Sequence, residues 1–307
     1  SSAASDVYKR QAWRMEGSKM FIEQGKRVSV LDLLKGIIIQ SGNDATVALA
    51  EYVGGTEDGF VDLMNSYAAS MGLSNTLFQN STGLPDGNHF SSAKDLATMT
   101  SLLINNFPET YSLYKEKYFT FNNIRQPNRN RLLWKDNSSD GVKTGHTESA
   151  GYCLISSAKR NDMRLIAVVA GAKSDKERFN DTQRLLEYGF RFYSTQEVIK
   201  KDNALKDVDV WGGKKNLVSL GAENNIKLTL PRTTFKNITI SYDFQNNLRA
   251  PIKEGQTLGT LVIKDGEKTL HTENLVALND VEAKGFFGRL WASLVLWFRG
   301  LFGLGDA

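Results

Sequence analysis

Several features that would point to particular protein classes are scarce in this sequence. Only one of its 307 residues is cysteine, Cys153, so no internal disulfide can form, and neither an oxidising nor a reducing compartment is excluded. No apolar run approaches the roughly 18 residues that a membrane-spanning helix needs. The three histidines, His89, His146 and His271, lack the spacing of metal ligands, and we predict no metal or other cofactor.

Charge and composition exclude further classes. The net charge is +4, and the lysines and arginines are scattered rather than grouped, which argues against a nucleic-acid partner. Apolar residues make up 41% and charged residues 23%, values typical of a globular protein with a sizeable core. The chain begins without methionine or signal-peptide pattern, and residues 1–11 show no apolar periodicity. We therefore expect residues 1–11 to be foreign or disordered.

The first half of the chain is patterned as helices. Leu31, Leu34 and Ile38 recur with helical spacing, and a second apolar stretch ends at Gly54-Gly55. The tripeptide Ser41-Gly42-Asn43 is therefore predicted at a junction between two helices.

Beyond Pro108 the pattern changes to strands. The segment "KYFTFNN" alternates as a strand does, and "GYCLISSAKRNDMRLIAVVAGA" predicts a hairpin that turns at residues 159–162. A helix, "DKERFNDTQRLLEYGFRFY", follows. From about residue 197 to 282 short strands and turns alternate, with Asp265-Gly266 as a hairpin signal. We predict a separate all-β domain at residues 196–282.

The last segment, "KGFFGRLWASLVLWFRGLFG", has the pattern of an amphipathic helix. Its apolar half carries two Trp and four Phe, while Lys284, Arg289 and Arg299 lie at or beyond the edges of that half. We predict that residues 284–304 bind the surface of a membrane. The alternative is a helix that docks on the protein's own core.

Two short motifs carry groups that could do chemistry. Lys143-Thr144-Gly145 is predicted on an exposed strand, where the backbone can pair with an extended peptide, the hydroxyl can bind a carboxylate and the glycine permits close approach. Ser41 offers a hydroxyl that can pass a proton, and Asn43 an amide that both donates and accepts. Each motif also has an ordinary explanation. Lys-Thr-Gly can arise by chance, and the Ser and Asn of Ser-Gly-Asn can serve as helix caps.

Together the motifs resemble those of a known family. With "QSGNDA", "LMNSYAASMGL", "IRQPNRNRLLW" and "DGVKTGHTESAGY", the chain resembles the low-molecular-mass D-alanyl-D-alanine carboxypeptidases of Gram-negative bacteria, the penicillin-binding protein 5 and 6 group. The resemblance implies an α+β fold: an incomplete β-lactamase/transpeptidase-like domain of helices against an antiparallel sheet at residues 12–195. The all-β domain and a C-terminal amphipathic helix at residues 283–307 would follow.

The resemblance also implies roles for individual residues. Ser41 would relay a proton to the leaving D-Ala nitrogen, and Asn43 would hold the substrate amide. Lys143 would supply positive charge for the substrate carboxylate and for developing negative charge, while Thr144 would hydrogen-bond that carboxylate beside Gly145.

Two further residues and the partners follow from the same resemblance. His146 would shape the far end of the strand, and Arg129 is either a second partner of the carboxylate or part of an ordinary surface ion pair. The expected partners are D-Ala-D-Ala stem peptides of peptidoglycan, β-lactams as inhibitors of the complete enzyme, and the inner-membrane surface. The expected location is the periplasmic face of that membrane.

One element of the family pattern is missing. The family's Ser-x-x-Lys nucleophile stands several tens of residues before the Ser-Gly-Asn, but no serine before Ser41 has a lysine three positions later. Matches at Ser91, Ser112 and Ser156 come in the wrong order, and we interpret them as caps or surface residues. We therefore expect an N-terminally truncated enzyme that has lost its signal peptide, first strands and nucleophile helix, and that is inactive.

Two other functions remain open at this point. A β-lactamase of the same superfamily would share the hydroxyl, amide and lysine groups, although the β domain and C-terminal helix speak against it. A non-catalytic peptidoglycan-binding protein would lack the serine naturally.

Overall fold

The protein divides into two compact units. The computed structural model describes residues 10–244 and 247–285. Unit 1 comprises Ser1–Arg191 and unit 2 comprises Phe192–Ala307. The expected foreign segment, apart from residues 10 and 11, lies outside the described residues, and so does nearly all of the predicted C-terminal helix.

Unit 1 begins with helices, as the apolar spacing predicts. The first helices are α1 (Arg10–Arg14), α2 (Val30–Lys35), α3 (Asn43–Gly54) and α4 (Glu57–Ser70). They are followed by α5 (Ala93–Asn106), α6 (Pro108–Tyr111), α7 (Leu132–Lys135) and α8 (Asp175–Phe192). A π-helical turn, Gly36–Gln40, continues α2 to the Ser-Gly-Asn junction.

Local sequence explains where several of these helices start and stop. The hydroxyl oxygens of Ser29, Thr56 and Ser92 each accept a hydrogen bond from a backbone N–H in the first turn of α2, α4 and α5. Helix α3 ends at Gly55, whose φ of 76° is a conformation that glycine adopts without a side-chain clash.

The strands of unit 1 form two small antiparallel sheets. One is the hairpin of β1 (Tyr118–Phe121) and β2 (Ile124–Pro127). The other contains β3 (Ser139–Thr147), β4 (Gly151–Arg160) and β5 (Met163–Ala172) in the order β3-β4-β5. The predicted hairpin of β4 and β5 is confirmed.

Helices pack on this sheet and on one another. A Cβ atom added to Gly189 of α8 would lie 2.5 Å from Cδ1 of Leu165 on β5, so the absence of a side chain lets this helix approach the strand closely. The amino-terminal helices and β1 share a separate cluster of buried side chains that includes Met20, Leu33, Ile39 and Val47.

Unit 2 is built almost entirely from strands. They are β6 (Tyr193–Ile199), β7 (Lys206–Trp211), β8 (Leu217–Ala222), β9 (Ile226–Pro231), β10 (Ile238–Phe244), β11 (Leu248–Arg249), β12 (Thr257–Asp265) and β13 (Lys268–Ala277). Six of them form a sheet in the order β10-β12-β13-β8-β7-β11, and β6 pairs with β9. The predicted β-rich domain is confirmed.

The longest hairpin of unit 2 differs from its prediction in one detail. Asp265 pairs with Lys268, so the two turn residues are Gly266 and Glu267 rather than Asp265 and Gly266. Gly266 has a φ of 57°, the left-handed conformation that such a tight turn requires. No helix within residues 10–244 and 247–285 is long and apolar enough to span a bilayer.

The core of unit 2 generates a stability prediction. Leu261 of β12 is fully buried, whereas Leu217 of β8 is 52% exposed. We expect Leu261→Ala to lower the free energy of unfolding by about 3 kcal/mol, because the lost burial is compounded by a cavity. Leu217→Ala, the matched control, should change it by less than about 0.5 kcal/mol. Urea unfolding followed by circular dichroism measures both, and equal effects would contradict this assignment of the core.

Candidate active site

The Ser-Gly-Asn tripeptide lies at a sharp change of backbone direction. Ser41 has a φ of 57° and ends the π-helical turn, Gly42 is the N-cap of α3, and Asn43 is the first residue of that helix. No side chain of the described residues caps α3, so neither Ser41 nor Asn43 has the capping role that was the ordinary alternative. Both side chains are left for other partners.

A segment of residues 16–22, here called the strap, is fixed beside this junction by a buried carboxylate. Asp44 is 1% exposed. Its oxygens accept backbone hydrogen bonds from Met20 at 2.8 Å, Phe21 at 2.8 Å and Ile22 at 3.1 Å. Because a buried charge is tolerated only when it is hydrogen-bonded, these three N–H groups and Asp44 stabilise one another.

The strap also fixes the orientation of Asn43. The backbone N–H of Asn43 donates to the carbonyl of Ser18 at 2.8 Å, and its side-chain Nδ2 donates to the carbonyl of Glu16 at 2.7 Å. A Cβ atom on Gly42 would lie 2.9 Å from the backbone nitrogen of Met20, so glycine is needed for this approach. The Asn43 side chain therefore keeps Oδ1 available as an acceptor.

The Lys-Thr-Gly tripeptide lies on a sheet edge, as predicted. Strand β3 pairs only with β4 in its sheet, with Lys143 opposite Ile155, Thr144 opposite Leu154 and Gly145 opposite Cys153. Within the described part of the chain, its other edge is unpaired, which leaves backbone donors and acceptors for an extended ligand.

The fold brings the two motifs together. Nζ of Lys143 donates a hydrogen bond to Oγ of Ser41, across a separation of 102 residues, and a second one to the carbonyl of Thr144 at 3.0 Å. The amino group is thus placed at the junction of the helices, directly beside the edge strand.

Three cations lie around this point. Burial, with the nearby charges of Arg129 and Arg178, lowers the pKa of Lys143 to about 8. Partial desolvation and the charge of Arg178 also lower the pKa of Arg129, although the residue as a whole is exposed. Within residues 10–244 and 247–285, neither Lys143 nor Arg129 has a carboxylate partner, so this region favours a negatively charged ligand.

Sequence reasoning missed Arg178. This residue of α8 is 6% exposed, donates to the carbonyls of Gly145 at 3.0 Å and Cys153 at 3.3 Å, and forms an ion pair with Asp175. It therefore fastens the helix to the end of the Lys-Thr-Gly strand. In the sequence, Asp175 and Arg178 look like an ordinary i,i+3 pair on a helix surface, so no local signal marks the arginine.

A second missed network holds the start of β3. Asp140 accepts a hydrogen bond from the hydroxyl of Tyr111 at 2.7 Å and two from Arg164, both at 2.8 Å. Burial raises the pKa of Tyr111, so the phenol stays a donor. At the other end of the motif, the ring of His146 lies 4.0 Å from that of Tyr152.

The three Ser-x-x-Lys matches lie elsewhere and make structural contacts. Oγ of Ser91 bonds the hydroxyl of Thr76, and Oγ of Ser112 donates to the carbonyl of Glu109. Ser156 is fully buried in β4 and donates to the carbonyl of Gly141. The interpretation of Ser156 as a cap or surface residue is wrong. Its side chain faces inward from the strand, and its hydroxyl is satisfied by a neighbouring carbonyl.

Comparisons with known proteins identify the family. Residues 3–174 match the family model of D-alanyl-D-alanine carboxypeptidase, and residues 193–283 match that of the penicillin-binding protein 5 C-terminal domain. The chain belongs to the D-alanyl-D-alanine carboxypeptidase family. It is 49% identical over 288 residues to D-alanyl-D-alanine carboxypeptidase DacC of Escherichia coli, covering 93% of this chain and 72% of DacC. It is by family a hydrolase of the peptidase class.

Solved structures agree with this family assignment. Penicillin-binding protein 5 from Haemophilus influenzae is similar with a TM-score of 0.78 and 41% identity, covering 90% of this chain and 82% of that one. Penicillin-binding protein D2 from Listeria monocytogenes, in an ampicillin-bound form, is similar with a TM-score of 0.54 and 34% identity over 58% of this chain and 74% of its own. The expected α+β fold with a β-rich second domain is confirmed.

The buried carboxylate generates a prediction about the strap. We expect Asp44→Ala to lower the free energy of unfolding by about 3 kcal/mol, because three backbone N–H groups that are buried or partly buried lose a charged acceptor. The amides of Met20, Phe21 and Ile22 should exchange with deuterium much faster than in the parent. Asp62→Ala, which removes an exposed carboxylate from α4, is the matched control and should change neither quantity. Unchanged exchange in Asp44→Ala would contradict the role of Asp44.

The depressed pKa of Lys143 generates a prediction about pH. The folded protein releases this proton near pH 8, whereas the unfolded chain holds it up to about 10.5. Between those values the unfolded state binds more protons, so this residue makes unfolding less favourable as pH rises. The free energy of unfolding of the parent should therefore rise relative to that of Lys143→Met as the pH is raised from 8 to 10.5.

The control for this pH effect is Lys159→Met, an exposed position on β4 of the same sheet. Urea unfolding of the three proteins at several pH values measures the shift. If the difference in unfolding free energy between the parent and Lys143→Met does not change with pH, Lys143 is not desolvated.

Proposed function

We propose that the cleft between Ser41-Gly42-Asn43 and the edge of β3 binds the D-Ala-D-Ala end of a peptidoglycan stem peptide. The observation that carries this proposal is the position of Lys143, which donates to Ser41 beside an unpaired strand edge and has no carboxylate partner among the described residues. A peptide with a terminal carboxylate supplies both an extended backbone and the missing negative charge.

The terminal carboxylate would be bound by cations and a hydroxyl. Lys143 and Arg129 provide the charge, and Thr144 provides a hydroxyl on the same strand. Arg178 is already paired with Asp175, so it would add to the positive electrostatic potential without binding the carboxylate directly. Its hydrogen bond to the carbonyl of Gly145 holds that residue in place. This arrangement favours the carboxylate partner role for Arg129 over a surface ion pair, since no acidic side chain of the described residues pairs with it.

The peptide backbone would lie along β3. Gly145 presents no side chain, and even an added Cβ would meet only Cys153, at 3.8 Å, so a ligand backbone can approach. Asn43 keeps Oδ1 free for a substrate N–H because its Nδ2 is bonded to Glu16. His146, whose ring lies 4.0 Å from that of Tyr152, would border the cleft at the far end of the strand.

The reaction implied by the family proceeds through an acyl-enzyme. A serine oxygen attacks the carbonyl of the penultimate D-Ala, Ser41 relays a proton to the nitrogen of the departing D-Ala, and water then hydrolyses the ester. The 307 residues contain no Ser-x-x-Lys ahead of Ser41. We therefore infer that this chain alone binds such peptides without forming the acyl-enzyme or a covalent β-lactam adduct.

The location belongs to the same proposal. A cell-wall substrate implies the periplasmic side of the inner membrane, and the aromatic, basic pattern of residues 284–304 supports attachment to its surface. Those residues lie almost wholly outside the described part of the chain.

Labelling with a fluorescent penicillin tests the proposed chemistry. We expect no labelled band after denaturation of the 307-residue protein, because an activated nucleophile is required for acylation. A chimera that places the Ser-x-x-Lys segment of DacC ahead of this chain should be labelled. A labelled band from the chain alone would overturn the inference of inactivity.

Variants of that chimera test the binding roles. Lys143→Met should slow labelling by about a hundredfold, the usual loss when one group that stabilises developing charge is removed. Lys159→Met is the matched control and should label at the parent rate. Equal rates for all three proteins would exclude Lys143 from the site.

A further inference from the structure

A second concavity lies beside the strap, and the proposed cleft does not use it. Its volume is about 690 Å³ and it is open to solvent. Its lining includes the acidic residues Glu23 and Asp44 as well as Trp13, Arg14, Lys19, Phe21, Ile22, Asn122 and Ile124. Aromatic, cationic and amide groups thus converge on one space large enough for a small ligand.

The backbone of Phe21 is strained at this cavity. Its φ is 70°, a region in which a bulky aromatic residue is a true outlier. The conformation is imposed from two sides, because the Phe21 N–H donates to Asp44 at 2.8 Å and its carbonyl accepts from Nδ2 of Asn122 at 2.9 Å. Strain of this kind persists only where surrounding contacts hold it, and it concentrates at functional sites.

The strained residue carries an exposed aromatic ring. The Phe21 side chain is 45% exposed and Trp13 is 48% exposed, although both lie in a cavity wall. Two exposed aromatic rings provide flat faces with negative charge density, against which the C–H groups of a sugar ring pack well. Packing against the protein core would have buried these rings instead.

The charge at the cavity is suited to an anion. Arg14 and Lys19 have no carboxylate partner within residues 10–244 and 247–285. The acidic groups are occupied: Glu23 pairs with Lys26 at 2.6 Å, and the buried oxygens of Asp44 accept backbone hydrogen bonds. Two cations therefore remain to bind a carboxylate.

We propose that this cavity binds an anionic amino-sugar glycopeptide, with the sugar against Trp13 and Phe21 and a carboxylate at Arg14 and Lys19. The choice of a cell-wall glycopeptide as the source rests on the proposed function. The strap connects the two sites, since Lys19 directly follows Ser18, whose carbonyl accepts from Asn43. A stem peptide could be recognised at its D-Ala end in the cleft and through its sugar in the cavity.

Calorimetric titration of the whole 307-residue protein tests the proposal. The probe is N-acetylmuramoyl-L-alanyl-D-isoglutamine, which carries an amino sugar and a carboxylate but no D-Ala-D-Ala. Two comparison ligands carry one half each: the neutral disaccharide of N-acetylglucosamine, and the anionic dipeptide N-acetyl-L-alanyl-D-isoglutamine. The probe should bind about tenfold tighter than either comparison ligand. Absent binding of the probe, or equal affinity for the neutral disaccharide, overturns the proposal.

Variants locate the binding. Trp13→Ala and Lys19→Gln should each weaken probe binding about tenfold. The matched controls are Tyr67→Ala, which removes a 63% exposed ring from α4, and Arg184→Gln, which removes an exposed cation from α8. Neither control should change the affinity. Thermal unfolding of each variant verifies that it is folded, and Lys19→Gln keeps the test valid if Trp13→Ala unfolds.

Lys143→Met separates this proposal from the proposed function. It should abolish binding of an acyl-D-Ala-D-Ala peptide and leave probe binding unchanged. If it weakens probe binding as much as Trp13→Ala does, the probe occupies the cleft and the cavity proposal is wrong. If the parent protein binds the probe but binds no acyl-D-Ala-D-Ala peptide, the cavity site is supported and the function proposed for the cleft is wrong.

Discussion

The buried carboxylate of Asp44 is the constraint on which both candidate sites of unit 1 depend. Its bonds to three successive N–H groups fix the strap, and the strap in turn fixes the amide of Asn43 and the strained backbone of Phe21. A charge so fully removed from water must be satisfied by hydrogen bonds, so the strap cannot move away without leaving Asp44 unsolvated. One residue next to the Ser-Gly-Asn thus organises the cleft and the cavity together.

The cleft combines a rigid frame with an excess of positive charge. Arg178 and the network of Tyr111, Asp140 and Arg164 hold the two ends of β3. Between them, Lys143 is desolvated enough to lower its pKa, a cost that binding of an anion would offset. A cation without a carboxylate partner, held in place by surrounding hydrogen bonds, is typical of a ligand-binding site.

Much of the fold could be predicted from the spacing of apolar residues. This holds for helices α3, α5 and α8 and for the hairpin of β4 and β5, because each buries the face that its sequence pattern marks as apolar. The hairpin turn at Gly266 and Glu267 was displaced by one residue, because both pairs suit a tight turn and only strand register selects between them. Ser156 was misjudged because a serine in a strand gives no local sign of burial.

The sequence by itself determined the two-part organisation, and its motifs predicted the family, because short motifs and periodic patterns are local properties of the chain. Only the tertiary structure decided that Arg178 and Asp140 fasten the strand, that Asp44 holds the strap, and that Trp13 and Phe21 share a cavity. Each of these depends on contacts between residues far apart in sequence, and such contacts leave no periodicity or motif from which they could be predicted.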